Sequence, residues 1–227
     1  PLGARTYGRY RFVIAGLILA VHFTVGLNAF VVSPILPLAI DDFGISRATA
    51  GLLIALVSLL QAVFGLPGSV LVTRFGLKRV CSVAWLLIAV SALAPVAPNF
   101  LSLLAVRVAF GIGFGIIIPA TGPLLMQWFR PREILMMNGL DIAILSLGVS
   151  LSIATVAPLS DLTGWQNALG LFGGVGLFGA IAWLVLGKAQ DIDQTAGPTL
   201  SLRDVWGVLR NRVILLLVAA DALVFIQ

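Results

Sequence analysis

Arg107 is isolated from other charge: no other charged residue occurs between Val80 and Phe129. A cation in so apolar a stretch costs at least ~2.5 kcal/mol at the centre of a bilayer, so it needs a partner or a wet cavity. At about 100° per residue it shares a helix face with Gly111, Ile118 and Thr121. Two chemistries fit: a site for an anion or a coupling proton, or a structural arginine that bonds the carbonyls of neighbouring helices. A second group lies further along. Asn138, Asp141, Gly148, Ser152 and Thr155 fall within about 60° of one helical direction. Such a stripe faces a cavity or a packed neighbour, because lipid offers it nothing. Asp141 can carry a proton or meet a cation such as Arg74, Lys78 or Arg130. A third group is His22, Thr24, Asn28 and Ser33. His22 can take a proton and carry coupling, or it can be a packing and hydrogen-bonding residue. Asn28, expected near mid-span, is the better candidate for touching a bound solute.

The elements that position these residues follow from composition. Of 227 residues, 60% are hydrophobic and 10% charged, against roughly a quarter charged in soluble chains. Uncharged runs recur at 12–40, 48–73, 80–106, 108–129, 142–160 and 162–187, each near or beyond the ~20 residues that cross a bilayer. Six spanning helices are expected, the run 80–106 holding one helix and the start of the next across an Ala-Pro-rich turn. The chain is thus an all-α integral membrane protein. With alternating topology, twelve of the fourteen Lys and Arg residues fall on one side. By the positive-inside rule that side and the N-terminus are cytoplasmic, and the lipid bilayer, rather than nucleic acid, accounts for the net charge of +5. The basic N-terminus precedes an apolar run about twice the length of a signal-peptide core, and reads as a retained first helix. Cys81 is the one cysteine and His22 the one histidine. No internal disulfide, metal cluster or cofactor site is expected.

Loops between the six helices are short, so successive helices lie antiparallel and close. Residues 1–187 read as the bundle. Residues 188–212 read as a cytoplasmic linker with an amphipathic helix on the membrane surface, and 213–227 as the start of a seventh spanning helix. On helix one Gly26 precedes Pro34 by eight residues, as Gly111 precedes Pro119 on helix four. Since these helices run oppositely, helices one to three and four to six are expected to form an inverted repeat.

The stretch "SVLVTRFGLKRV" (69–80) resembles the signature turn of the major facilitator superfamily, G-x-L-A-D-R-x-G-R-K. Ser69 takes the first glycine's place, Thr73 the aspartate's, Arg74 the arginine's and Gly76 the second glycine's, with Leu77 at the next basic position and Lys78 and Arg79 after it. "RVAFGIGFG" (107–115) is similar to the superfamily's helix-four motif, and "LTGWQNAL" (162–169) to the turn that opens helix six. Other stretches, such as "MQWFRPRE", look most like the cyanate- and nitrate-type small-anion permeases. The resemblance implies a six-helix half made of two inverted three-helix repeats, completed by a second half that is either the same polypeptide or a partner. It also implies a cytoplasmic gate at Ser69, Thr73, Arg74, Gly76, Lys78 and Arg79, to which Asp141 and Arg130 are candidate additions. In the family the aspartate replaced by Thr73 stabilises the outward-facing state by meeting the other half. Thr73 can hydrogen-bond but cannot make that ionic contact, so a weaker gate is expected.

These features imply a secondary active transporter of a small organic or inorganic anion, working by alternating access in a bacterial inner membrane, with protons as a candidate coupling ion. Candidate solute or coupling residues are Arg107, Asn28, His22, Ser152 and Thr121. A drug or sugar exporter of the same superfamily, or a non-transporting scaffold, remains open. An intramembrane serine protease would need an activated nucleophile, and no G-x-S-G string occurs. A retinal photoreceptor would need a lysine within helix seven, yet both lysines, Lys78 and Lys188, lie in loops.

Overall fold

Pro34 divides the first span in two. It carries no N–H, so the Phe30 carbonyl takes the Ser33 N–H instead, at 3.0 Å. That diverts Ser33 from its helical partner, the Ala29 carbonyl, and the chain breaks at Phe30–Val31. The computed structural model describes residues 8–189. Within them the first span is α1 (Arg11–Ala29) followed by α2 (Val32–Phe43). Then come α3 (Arg47–Phe75), α4 (Leu77–Ala89) running into a 3₁₀ helix (Val90–Val96), α5 (Phe100–Trp128), α6 (Pro131–Thr163) and α7 (Trp165–Leu186). Among the described residues, six helices are long and apolar enough to cross a membrane. The readings of residues 190–227, the amphipathic helix and a seventh span, lie outside the described residues.

Helix boundaries follow local chemistry. Ser46 caps α3 by accepting the Thr49 N–H at 3.1 Å. Asn99 and Ser102 close a reciprocal capping box on α5. At α6 the Glu133 carboxylate accepts the Arg130 N–H at 2.9 Å, with Pro131 in the first turn. Gly76 and Gly164 each end one helix and begin the next with φ near +80° to +90° and ψ near +145° (82°/147° and 87°/145°), a conformation open essentially to glycine alone. These one-residue hinges turn α3 into α4 and α6 into α7.

The inverted repeat is visible in the packing. α1 runs parallel to α6, α5 runs parallel to α3, and these are the two most extensive helix pairings. Gly26 of α1 meets the Leu145 carbonyl of α6, while Gly111 of α5 meets Val57 of α3. Shifting α1 by 85 positions and α6 by 88 superimposes one crossing on the other, and the second shift also carries Gly76 onto Gly164.

One apolar core, with Ile14, Ile18, Trp85, Phe110, Ile117 and Trp183, joins α1, α4, α5 and α7. A second, with Leu27, Ile35, Leu53, Leu103 and Phe172, lies around the α1–α2 break. In lipid such contacts stabilise through close van der Waals packing, not by removing surface from water. By contrast α3 and α6 are largely uncovered among the described residues, exposing Leu59, Val63, Leu147 and Leu151.

Candidate functional site

Arg107 is 3% exposed and gives all three kinds of guanidinium nitrogen to backbone carbonyls. Nε donates to Leu53 O of α3 at 3.2 Å, one terminal nitrogen to Asn28 O at 2.7 Å and the other to Ala29 O at 3.0 Å. Ala29 O is the carbonyl that lost its helical donor through Pro34. The guanidinium also lies over the Phe110 ring, 5.2 Å from its centroid. The contacts made in this structure are those of a structural arginine: Arg107 bridges α3 and the break between α1 and α2 through backbone carbonyls.

His22 and Asp141 face each other across α1 and α6, Nδ1 to Oδ1 3.6 Å, both almost fully buried. The sequence leaves Asp141 either to carry a proton or to meet a cation such as Arg74, Lys78 or Arg130. It stands ten residues from Pro131, at a depth of about 15 Å, because α6 starts well before the uncharged run at Ile142. Its neighbour is His22, eleven residues into α1, and no ion pair joins Asp141 to Arg74, Lys78, Arg130 or Arg107 among the described residues. His22 Nδ1 is 3.0 Å from Ile18 O. A carbonyl only accepts, so Nδ1 carries a proton. Asp141 Oδ1 has no hydrogen-bond partner.

These two arrangements are equivalents in the repeat. His22 precedes Gly26 by four residues as Arg107 precedes Gly111, and Asp141 precedes Leu145 as Leu53 precedes Val57. One repeat puts a cation on backbone carbonyls; the other sets an imidazole facing a carboxylate without a hydrogen bond between them. The glycine spacing carried that correspondence, but pairing His22 with Asp141 also required knowing that α1 and α6 are neighbours.

The other polar residues are held inside the bundle. Asn28 donates its amide to Thr24 O and Phe172 O, at 3.0 and 3.2 Å, bridging α1 to α7. Thr121 and Ser152, both buried, donate to Ile118 O and Val149 O one turn back on their own helices. The stripe on α6 divides. Asp141, Gly148 and Ser152 are buried, Gly148 with its α-carbon against Phe23 O and Leu27 N of α1, whereas Asn138 is exposed and Thr155 half-buried.

At the basic end, Gly76 forms the turn and Thr73 is exposed, its hydroxyl donating to Val70 O at 2.8 Å. Arg74 lies over the neighbouring Phe75 ring, Lys78 and Arg79 are exposed, and Ser69 is half-buried on α3. Arg130 opens α6 with Glu133, whose carboxylate bonds Arg11 of α1 at 3.1 Å. Backbone bonding to Arg130 and the nearby Arg11 give that pair geometry, but an exposed ion pair adds little stability.

A family model described as Major Facilitator Superfamily matches residues 18–227. The hexuronate transporter of Bacillus subtilis is 28% identical over 157 residues, covering 68% of this chain and 37% of that protein. The 4-hydroxybenzoate transporter PcaK of Pseudomonas aeruginosa is 31% identical over 180 residues, covering 77% and 39%. The quinolone resistance protein NorA of Staphylococcus aureus is 26% identical over 207 residues, covering 88% and 53%. Among solved structures, a POT family transporter in complex with 5-aminolevulinic acid shares the fold, with a TM-score of 0.60 at 16% identity, over 97% of this chain and 47% of that one. The matched segment thus spans between about a third and about half of these relatives' length.

Proposed function

The chain belongs to the Major Facilitator Superfamily, and from that premise we propose that it is one half of a secondary active transporter moving a small organic anion by alternating access. The observation that carries the substrate class is that relatives named for hexuronate and 4-hydroxybenzoate align with more than two thirds of it. The interior chemistry supports the same reading. Among the described residues Asp141 is the one carboxylate deep within a span, and it is buried facing His22, which supports an anionic over a cationic solute on this half. The uncovered faces of α3 and α6 fit a second six-helix unit, in the same polypeptide or a partner. The cations of the basic end support a cytoplasmic N-terminus by the positive-inside rule, and a bacterial inner membrane is the proposed setting.

Uptake of radiolabelled glucuronate and 4-hydroxybenzoate into vesicles holding the protein tests this directly. Saturable uptake of either is expected. Extrusion of a fluoroquinolone with no anion uptake would replace the proposal by the exporter reading that NorA favours.

The basic turn gives a second expectation. Thr73 bonds only within its own helix in the described contacts, so the ionic gate contact is missing from this side. Thr73→Asp restores it and shifts the population outward, by up to about tenfold for a contact of ~1.4 kcal/mol. Labelling of single cysteines from the cytoplasmic side reads this out, and equal labelling of both forms would rule it out.

A further inference from the structure

We propose that His22 and Asp141 form a proton-binding site inside the bundle, the two side chains sharing one exchangeable proton across the α1–α6 interface. Its use as the coupling site of transport rests on the function proposed above; the proton site itself does not.

The argument begins with an unfinished contact. Both groups are buried, and the Nδ1–Oδ1 separation of 3.6 Å exceeds a hydrogen bond. Nδ1 is committed to Ile18 O, and Asp141 Oδ1 is left without a partner. A purely structural ion pair would satisfy that oxygen. Here the charge of the pair, rather than a hydrogen bond between its members, depends on a proton, held either on the carboxyl or on the second ring nitrogen, Nε2, as imidazolium. With that proton the pair is net neutral; without it the pair carries one negative charge about 15 Å inside the bundle, where charge is disfavoured.

Nothing else in the described surroundings supplies the balance. α7 has no titratable side chain; α4 has the buried thiol of Cys81, with Lys78 and Arg79 exposed in its first turn; and the charges of α3, Arg47 and Arg74, are exposed at its two ends. On α5, Arg107 lies six to seven residues further along α1 and is engaged by Leu53, Asn28 and Ala29 carbonyls. Arg11 and Glu133 pair with each other at the basic end. The repeat-equivalent position has no carboxylate, since Leu53 stands where Asp141 does, and there the cation bonds a carbonyl and has nothing to exchange with.

The site also lies where a proton can be felt mechanically. One turn on, Gly26 packs on the Leu145 carbonyl and Gly148 on Phe23 O. A change in charge between His22 and Asp141 therefore acts on the tightest backbone contact between α1 and α6.

Because His22 is the one histidine in the sequence, ¹⁵N-histidine labelling reports this ring alone. The test is an NMR titration of the labelled protein in lipid vesicles, from about pH 4 to about pH 9, with and without Asp141→Asn. Removing the facing carboxylate should change the ring's titration curve in the labelled protein. A midpoint unmoved within about 0.2 units overturns the site. Should Asp141→Asn fail to assemble, His22→Gln carries the same test by infrared. The carboxyl band of Asp141 then has to titrate differently from the unaltered protein, and an unchanged band overturns the site equally. Titration that responds to the partner in a protein that moves no anion supports the site and removes the transport reading; anion uptake with an unresponsive ring does the reverse.

Discussion

Arg107→Ala is expected to destabilise the bundle by about 2–4 kcal/mol, well before any question of substrate arises. Three carbonyls, Leu53 O, Asn28 O and Ala29 O, lose a charged donor at once. A buried carbonyl left unpaired costs about 1–3 kcal/mol in general, and interhelical hydrogen bonds in membranes have measured nearer ~0.6 each, rising to 1–2 in model peptides. Ala29 O fares worst, because Pro34 has already diverted the Ser33 N–H that would otherwise reach it. Arg107→Lys should recover only a fraction, since an ammonium on a flexible stem cannot hold the planar fork that spans two helices. The measurement is the thermal midpoint of the detergent-solubilised protein, read by size-exclusion fluorescence. If Arg107→Ala melts with the unaltered protein and loses only anion uptake, Arg107 is a binding residue and its carbonyl contacts are incidental.

That ambiguity marks where the sequence stopped informing. A lone arginine in a fifty-residue uncharged stretch says that something must satisfy it, but not whether the partner is solute or backbone, because carbonyls leave no trace in residue types. Spans and basic turns were legible, since both depend on local composition. Gly76 was legible because a single residue must reverse the chain there, and its φ of +82° agrees. The break at Phe30–Val31 was not, because the run continues through Pro34 and Pro37 without a charged residue; it shows only when the carbonyl left by Pro34 is traced to its new donor. The partner facing Asp141 was not legible either, because its opposition to His22 depends on which helices are neighbours and not on local composition. Likewise a 60° sector on an ideal helix is too coarse to separate Asn138, which is exposed, from Asp141, which is not. The correspondence of His22 with Arg107 was within reach, since the Gly26 and Gly111 register fixes it, but its meaning needed Asp141 and Leu53 at the facing positions.

Alanine at Gly26 or Gly148 should cost about 1–3 kcal/mol, and the reason bears on how this half moves. A β-carbon at position 26 would overlap the Leu145 carbonyl, and one at 148 would lie 2.5 Å from Phe23 O and 3.0 Å from Leu27 N. These neighbours are backbone, so relief requires α1 and α6 to separate. The same helices carry their own controls. Gly16 on α1 and Gly139 on α6 have nothing within 4 Å of a built β-carbon, and alanine there should gain roughly 0.5–1 kcal/mol through reduced backbone freedom in the unfolded chain. Thermal midpoints of the four variants give a paired comparison in which helix propensity cancels and only the crossing remains. Equal midpoints for Gly26→Ala and Gly16→Ala would mean the helices are not in backbone contact. The predicted split has a mechanical corollary. Helices locked at a glycine crossing, with an ion pair at one end and the His22–Asp141 pair one turn away, cannot slide past each other by a residue without breaking all three contacts. α1 and α6 then move as one body.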